Sequence, residues 1–505
     1  MVIRAILLPV VPVLPPSVHD EFSELLLADT LASGRLTNPT HPLWQHFETI
    51  HVIQRPSYNS MYQPALGAFL ALGQKVTGNP WVGVWLCTGL MCAAICWMLQ
   101  GWLPPVWALV GGLLAVFTIG IPGYWMNSYF GGPVPALGGA LAMGALGRLI
   151  RSAPSPLSGL AMGAGFALLL GSRPFEGGAL GVVTAVVLLS SWWRQHVLWQ
   201  RLKPAVLLPF LVVMLPALAF TGYYSWRVTT NPLKMPYEVN RETYGWPENL
   251  AILPPVRVAY RHTSMKAMHR EELAHRQVYA KFGRIVDTLF HRAFTAWEFY
   301  IGPVLTAPLL LLPLVIQDRR TRVPALIVLF MCALNLLQLM LYPQHISAIA
   351  SLIFLLLTQG LRPLWVALVR WRPAIEPRFA VALSLAVLMA SGVRLLAEPL
   401  GTDPTFWEVP RQGHRDYRAA VVSKLTGRSR PQLVVVRYRK DHNPHQEWIY
   451  NRADIDGSKI VWAHEMDPAS NRALLRYFVG RETWLLEADE QPPRLVQYPQ
   501  TCQLP

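Results

Sequence analysis

The residues best suited to chemistry lie in one polar stretch near the start of the chain, VHDEFSELLLADTLASGRLTNPTHP (Val18–Pro42). Asp20 and Glu21 stand side by side there, followed by Glu24 and Asp29, with His19, His41, His46 and His51 close in sequence. A carboxylate in such a place can act as general base toward a hydroxyl, or hold a divalent cation through its hard oxygens, so Asp20 is also a candidate metal ligand. The pair can equally cap a helix: Phe22, Leu25, Leu26, Ala28 and Leu31 follow it at helical spacing, and acids favour helix N-termini. Capping needs one acid, and here two stand at a membrane boundary, which points to function.

Four further places carry candidate substrate contacts. In the turn GSRPFEGG, Arg173 offers the planar fork that suits a phosphate, and Glu176 is either its partner or a second contact. The segment YWMNSYFGGPVP brings Asn127 and Tyr129 among aromatics that could line a sugar site, although aromatics are common at membrane interfaces. In YPQHIS, His345 sits in a tight turn between apolar runs, as a phosphate contact or a cap. The long loop after Ser225 holds Lys234, Tyr237, Arg241 and Tyr244, and loops of that length often cover substrates. Its EELAH does not reproduce a zinc-protease H-E-x-x-H, and no phosphate-binding Gly loop occurs, so no nucleotide cofactor is expected.

The elements that must position these residues are mostly apolar. Of 505 residues, 52% are hydrophobic and 14% charged, well below the roughly 25% charge of soluble domains. Repeated apolar runs read as a polytopic helical membrane protein, with spans at about 81–99, 105–122, 132–149, 156–172, 177–193, 204–224, 296–316, 323–342, 346–361 and 379–396. Residues 1–18 read as the remainder of a first span, giving about eleven. The net charge of +15 falls largely in short turns: Arg148 and Arg151; Arg194, Arg201 and Lys203; Arg319, Arg320 and Arg322; Arg362, Arg370, Arg372 and Arg378. These turns recur at every second connection, the positive-inside pattern and not a nucleic-acid surface. Parity then places the acidic loop (16–80), the loop 225–295 and the tail on the opposite, outer face, provided residues 61–77 lie in the interface. After residue 396 the composition turns polar. QLVVVRY, SKIVWAHE and ETWLLEAD read as strands, with ASNRALLRYFVG helical between them, so a small α/β domain over 397–505 is expected beside a membrane domain over 1–396. The five cysteines form no framework.

The acidic pair after a first span, the ADTLASGR helix and then MYQPALGAFLALGQKVTG together resemble the first outer loop of the C-type glycosyltransferases, nearest to protein O-mannosyltransferases and the aminoarabinose transferases of lipid A. In that superfamily the loop acid is catalytic base or metal ligand, which the resemblance carries to Asp20 with Glu21 in support. It makes Tyr62, Gln63 and Pro64 a degenerate version of the family's P-P-L-Y motif, and Arg173 and His345 contacts for the donor phosphate. The turn at 123–131 lacks the acid that relatives often place there, so a second metal ligand is not implied. The resemblance covers about residues 18–150 in motif.

The expected protein is thus a membrane glycosyltransferase moving a sugar from a polyprenyl-phosphate donor to a glycan, lipid or protein hydroxyl, in a bacterial inner membrane with its site facing the periplasm. The competing class is a transporter or flippase of lipid-linked sugars. A transporter would place ionisable groups near the bilayer midplane, whereas here the acids gather at one face.

Overall fold

The computed structural model describes residues 1–152, 154–196, 204–246, 250–251, 253–280, 285–317, 319–339, 341–371 and 412–499. In chain order the principal helices are α1 (His19–Ala32), α2 (Pro64–Thr77), α3 (Trp81–Gln100), α4 (Pro105–Ala115), α5 (Pro133–Arg151), α6 (Pro156–Leu170), α7 (Pro174–Arg194) and α8 (Pro204–Thr229). They continue as α9 (Pro236–Tyr244), α10 (Thr263–Ala280), α11 (Ile285–Tyr300), α12 (Arg319–Leu334), α13 (Ala350–Trp371), α14 (Gln412–Thr426) and α15 (Pro468–Tyr477). The strands are β1 (Asn38–Pro39), β2 (Val52–Ile53), β3 (Ser57–Ser60), β4 (Gln432–Arg437), β5 (Ile460–His464), β6 (Glu482–Glu487) and β7 (Arg494–Gln497). The chain divides into two compact units: Met1–Val13, Trp81–Thr221 and Lys281–Asp403 form the first, and Leu14–Pro80, Gly222–Ala280 and Pro404–Pro505 the second.

The first unit is helical. Among the described residues five helices are long and apolar enough to cross a membrane: Trp81–Gln100, Pro133–Arg151, Pro174–Arg194, Ala205–Thr229 and Pro343–Pro363. Three shorter apolar helices, Pro105–Gly120, Pro156–Leu170 and Thr321–Leu337, accompany them. The expected span at about 379–396 lies outside the described residues. The expected span at 296–316 is not one helix. It breaks after Tyr300, where Gly302 takes φ +63° and Pro303 follows, and resumes as the short pieces Thr306–Leu310 and Leu312–Val315. Residues 1–18 hold one helical piece, Val2–Ile6.

Helix α5 sits at the centre of this unit because its small residues admit close neighbours, the usual basis of helix packing where no hydrophobic force distinguishes helix from lipid. A Cβ on Gly138 would lie 2.7 Å from the Gly165 carbonyl of α6, and one on Gly165 would lie 2.5 Å from the Gly138 carbonyl. At its basic end, Arg148 stacks 3.9 Å over Trp97 and donates to the Trp97 carbonyl at 2.9 Å.

The second unit gathers the polar segments. β1–β3–β2 make a small antiparallel sheet, and β5–β4–β6–β7 a second sheet in which β4 runs parallel to β5 and β6 while β7 closes the edge antiparallel. The pleat of β4 sends alternate residues to opposite faces. Val434 and Val436 pack with Leu425 of α14 and with Trp448, Trp462 and Trp484. Leu433 and Val435 pack with Leu474 of α15 and also with Leu26, Phe47, Val52 and Tyr58. The acidic segment and the tail therefore share one hydrophobic core. Polar links reinforce it: Asp29 accepts from Arg452 at 2.6 Å, from the Ala453 N–H at 2.9 Å and from Gln74 of α2 at 2.9 Å.

Candidate active site

Helix α1 begins at His19, so Asp20 and Glu21 lie in its first turn. Glu21 is buried and turns back over the helix start, where its Oε2 accepts from the Ser17 and Val18 N–H groups at 2.8 and 3.2 Å. It satisfies orphan donors of that turn, the capping role the sequence allowed for one of the two acids. Asp20 is held differently. Its Oδ1 accepts a hydrogen bond from the Tyr62 hydroxyl and lies 3.5 Å from His51 Nδ1, which is itself 3.3 Å from the same hydroxyl. A quarter of the Asp20 side chain is exposed (25%). Tyr62, expected to meet substrate, thus spends its hydroxyl proton on the acid.

Tyr62 stands just before α2, where Gln63 forms the N-cap and Pro64 the first turn. His51 adopts φ +62°, a left-handed conformation uncommon for any residue but glycine. Its carbonyl takes the Ser23 hydroxyl of α1 at 2.7 Å and the Met61 N–H at 3.2 Å, which fix that turn against α1. Burial lowers the His51 pKa below the ordinary histidine value; Asp20 works against that shift and His445 with it. The imidazole is accordingly a neutral donor or acceptor.

A second layer comes from residues far away in sequence, which sequence reasoning missed. His19 Nδ1 lies 2.5 Å from the Tyr450 hydroxyl, and the His19 ring stacks on His445 with centroids 5.6 Å apart. His445 Nε2 bonds both oxygens of Glu271 in α10, at 3.0 and 3.1 Å. The neighbouring His275 and the hydrogen bonds from His445 hold the Glu271 carboxyl well below the usual carboxylate range. Phe22 stacks flat on Tyr450 at 4.2 Å, and the Arg418 guanidinium lies 4.7 Å over the Phe22 ring and 4.9 Å over that of Trp462. The only sequence signal was the density of His, Glu, Trp and Tyr in DHNPHQEWIY, which carried no spacing of its own. Lys234, expected at substrate, forms an ion pair with Glu242.

In the first unit, Arg173 precedes α7 and its Nη1 lies 3.9 Å from Glu176 Oε1, beyond hydrogen-bond range, so its donors are not committed to that carboxylate. Glu176 is buried and accepts from Gln338 at 3.1 Å. His345 is half-buried; its Nδ1 accepts the Tyr342 N–H at 3.3 Å, which places the neutral ring's proton on Nε2. Tyr129 is buried in the aromatic turn, whose Trp125 packs 4.8 Å from Phe299. A groove of about 430 Å³ between α6, α7 and α8 is lined by Phe166, Pro174, Gly177, Trp192, Phe210 and Leu218 among other apolar residues.

Among the described residues no group of three or more His, Cys, Asp or Glu side chains is placed to hold a metal ion. Asp20, the candidate ligand, has an imidazole and a phenol beside it and no second carboxylate bonded there. Among the described residues, those around Asp20 do not make a metal site.

No protein-family model and no curated protein sequence matches the chain. Solved structures do. The fold is similar to that of ArnT from Cupriavidus metallidurans in the apo state, with TM-score 0.53 and 14% identity over 96% of this chain and 91% of that one. The same enzyme bound to undecaprenyl phosphate gives 0.52 and 13%, over 96% and 92%. The archaeal oligosaccharyltransferase AglB from Archaeoglobus fulgidus, in complex with an inhibitory peptide and a dolichol-phosphate, gives 0.41 and 11%, over 96% and 68%. ArnT is a C-type glycosyltransferase, so the resemblance read from the acidic loop is met at the level of the fold.

Proposed function

We propose that this chain is an integral-membrane glycosyltransferase that moves a sugar from a polyprenyl-phosphate donor to an acceptor hydroxyl, with Asp20 as general base. The observation that carries the reading is the setting of Asp20: a partly exposed carboxylate at a helix start, oriented by two side chains through one oxygen, in a chain with the fold of ArnT.

The chemistry balances with residues already present. Asp20 takes the proton of the acceptor hydroxyl as its oxygen attacks the anomeric carbon. The bond from that carbon to the donor phosphate breaks in line, and the polyprenyl phosphate leaves with the electron pair. Within the first unit, Arg173 and His345 are the residues assigned to contact a donor phosphate, with Glu176 as a lesser candidate beside Arg173. The undecaprenyl phosphate held by ArnT supports this donor class, and the apolar groove beginning at Pro174 has the chemistry to take an isoprenoid chain. Tyr129 and Lys234 remain lesser candidates for the sugar and its phosphate. We place the segments 16–80 and 225–295 and the tail on the outer face of a bacterial inner membrane, a reading supported by the charge of the opposite turns. No step is assigned to a metal or a nucleotide.

The test is transfer or hydrolysis of radiolabelled sugars from undecaprenyl phosphate-linked donors by purified protein and the Asp20→Asn variant. Turnover by the wild type that falls at least a hundredfold in the variant is expected. Equal turnover in both sinks Asp20 as the base. Donor binding and translocation without turnover by either would move the assignment to a transporter of lipid-linked sugars.

A further inference from the structure

Among the described residues, both side-chain contacts to Asp20 converge on one of its two oxygens. Tyr62 donates to Oδ1, and His51 Nδ1 faces the same atom at 3.5 Å. A tyrosine hydroxyl has one proton, so once Tyr62 gives it to Asp20 its oxygen is left as an acceptor, and His51 Nδ1 at 3.3 Å is the donor positioned to fill it. The direction of the chain is thereby fixed: imidazole N–H to phenol oxygen, phenol O–H to carboxylate. We propose that Tyr62 and His51 are positioning residues that hold Asp20 Oδ1 and leave Oδ2 as the oxygen that takes the acceptor's proton. This rests on the reading of Asp20 as the base.

Three independent features support it. His51 reaches its place only through a left-handed backbone (φ +62°), and conformations of that kind persist where surrounding bonds over-determine them. Here those bonds are the ones from Ser23 and Met61 to its carbonyl, so α1, which carries Asp20, also fixes the turn that carries His51. Next, the imidazole is surrounded by groups that would act on its charge: Asp20 and His19 from α1, Tyr62 ahead of α2, and His445 from the tail. Burial among them keeps the ring neutral, which is the state the donor chain requires. Finally, His19 is held in turn by Tyr450 and His445, so the tail braces the same turn of α1.

Removing the phenol hydroxyl frees Oδ1 to rotate. Tyr62→Phe is expected to lower kcat roughly tenfold to a hundredfold with KM little changed, because misplacing a catalytic group by about 1 Å costs up to about a hundredfold. At position 51 two variants separate backbone from donor. His51→Gly relieves the left-handed backbone and has no side-chain donor, whereas His51→Asn tolerates that backbone and carries an amide N–H near the place of Nδ1. The expected order is Asn at least tenfold above Gly in kcat. Undecaprenyl phosphate binding, followed by tryptophan fluorescence, is expected to be unchanged in all three.

If Asp20→Asn is inactive while Tyr62→Phe keeps the wild-type kcat, the positioning role is overturned and the base stands. If His51→Gly matches His51→Asn, the donor from His51 is overturned. An active Asp20→Asn enzyme overturns this inference together with the reading beneath it.

Discussion

At the scale of single residues, the histidines of the second unit make its stability depend on pH in a direction that can be worked out. Burial lowers the pKa of His464 well below the ordinary value of 6.5, with His262 adding to the effect, and burial lowers His41, His46 and His51 as well. The unfolded chain binds protons at these positions more readily than the folded one, so stability is complete above about pH 6.5 and is lost as the pH falls below it. Asp29 pulls the same way. Burial works against its ionised form, but hydrogen bonds from Arg452, Ala453 and Gln74 bring its pKa below the ordinary value, so its contribution also disappears in acid. His275 pulls the other way. The Glu271 carboxylate 3.9 Å away raises its pKa, so its contribution is present in acid and lost as the pH rises, and being half exposed it is weakly felt. Thermal unfolding in detergent should therefore be flat from pH 8 to 7 and fall to lower temperatures between pH 6.5 and 5. His464→Gln, which retains a donor for the Glu48 carbonyl that His464 Nε2 meets at 2.8 Å, should flatten that slope. An unchanged slope would show that other groups set it. The same residues show what could be read in advance. Asp20, Tyr62 and the nearby histidines fall within one loop and were legible in the sequence. His445, Tyr450 and Glu271 were not, because the contact between His19 and Tyr450 spans 431 positions and no local spacing encodes it.

At the scale of elements, helix periods were legible and helix ends and close approaches were not. The apolar run beginning at Pro204 reads as helix to residue 224, yet α8 continues to Thr229, since nothing between breaks it. The run at 296–316 reads as one span on hydropathy alone, whereas Gly302 and Pro303 interrupt it, and backbone geometry overrides apolarity. The strands of the tail fell where β-branched runs placed them, but that their inner face would be shared with α1 was hidden. Glycines mark the approaches that sequence could not assign. A Cβ on Gly67 of α2 would lie 2.5 Å from Leu27 Cγ, and Leu27 is fully buried in α1. Gly67→Val should force α1 and α2 apart, costing about 1–3 kcal/mol and with it the alignment of Asp20 with Tyr62. A Cβ on Gly139 of α5 would meet the Ala348 carbonyl at 1.8 Å, a backbone atom with no rotamer to yield. Gly139→Ala should therefore lower the unfolding temperature even though alanine favours helix. A rise in that temperature would mean the turn carrying His345 repacks freely.

At the scale of the whole chain, exposure separates a membrane protein from a large soluble bundle. Helix α8 has mean hydropathy 2.2 across its candidate span, and only 6% of that window is buried within the protein. Leu208, Val212, Leu215 and Leu218 are 59%, 59%, 58% and 51% exposed, a continuous apolar surface several turns long. In water such a stripe would be an association site far larger than soluble monomers present. In a bilayer it needs no partner, because lipid chains cover it as well as protein would. By contrast, 83% of the window in α5 is buried, so α5 answers to its neighbours and α8 to lipid. A charge at the middle of α8 should thus act through insertion and not through packing. Val212→Arg should cost about 2.5–3.5 kcal/mol of insertion free energy and lower the membrane-integrated fraction of the chain, while Val212→Leu should leave it unchanged. Alkaline extraction of membranes followed by quantification of the retained protein measures this directly. If Val212→Arg is retained in membranes as fully as the parent, α8 does not depend on lipid for its cover.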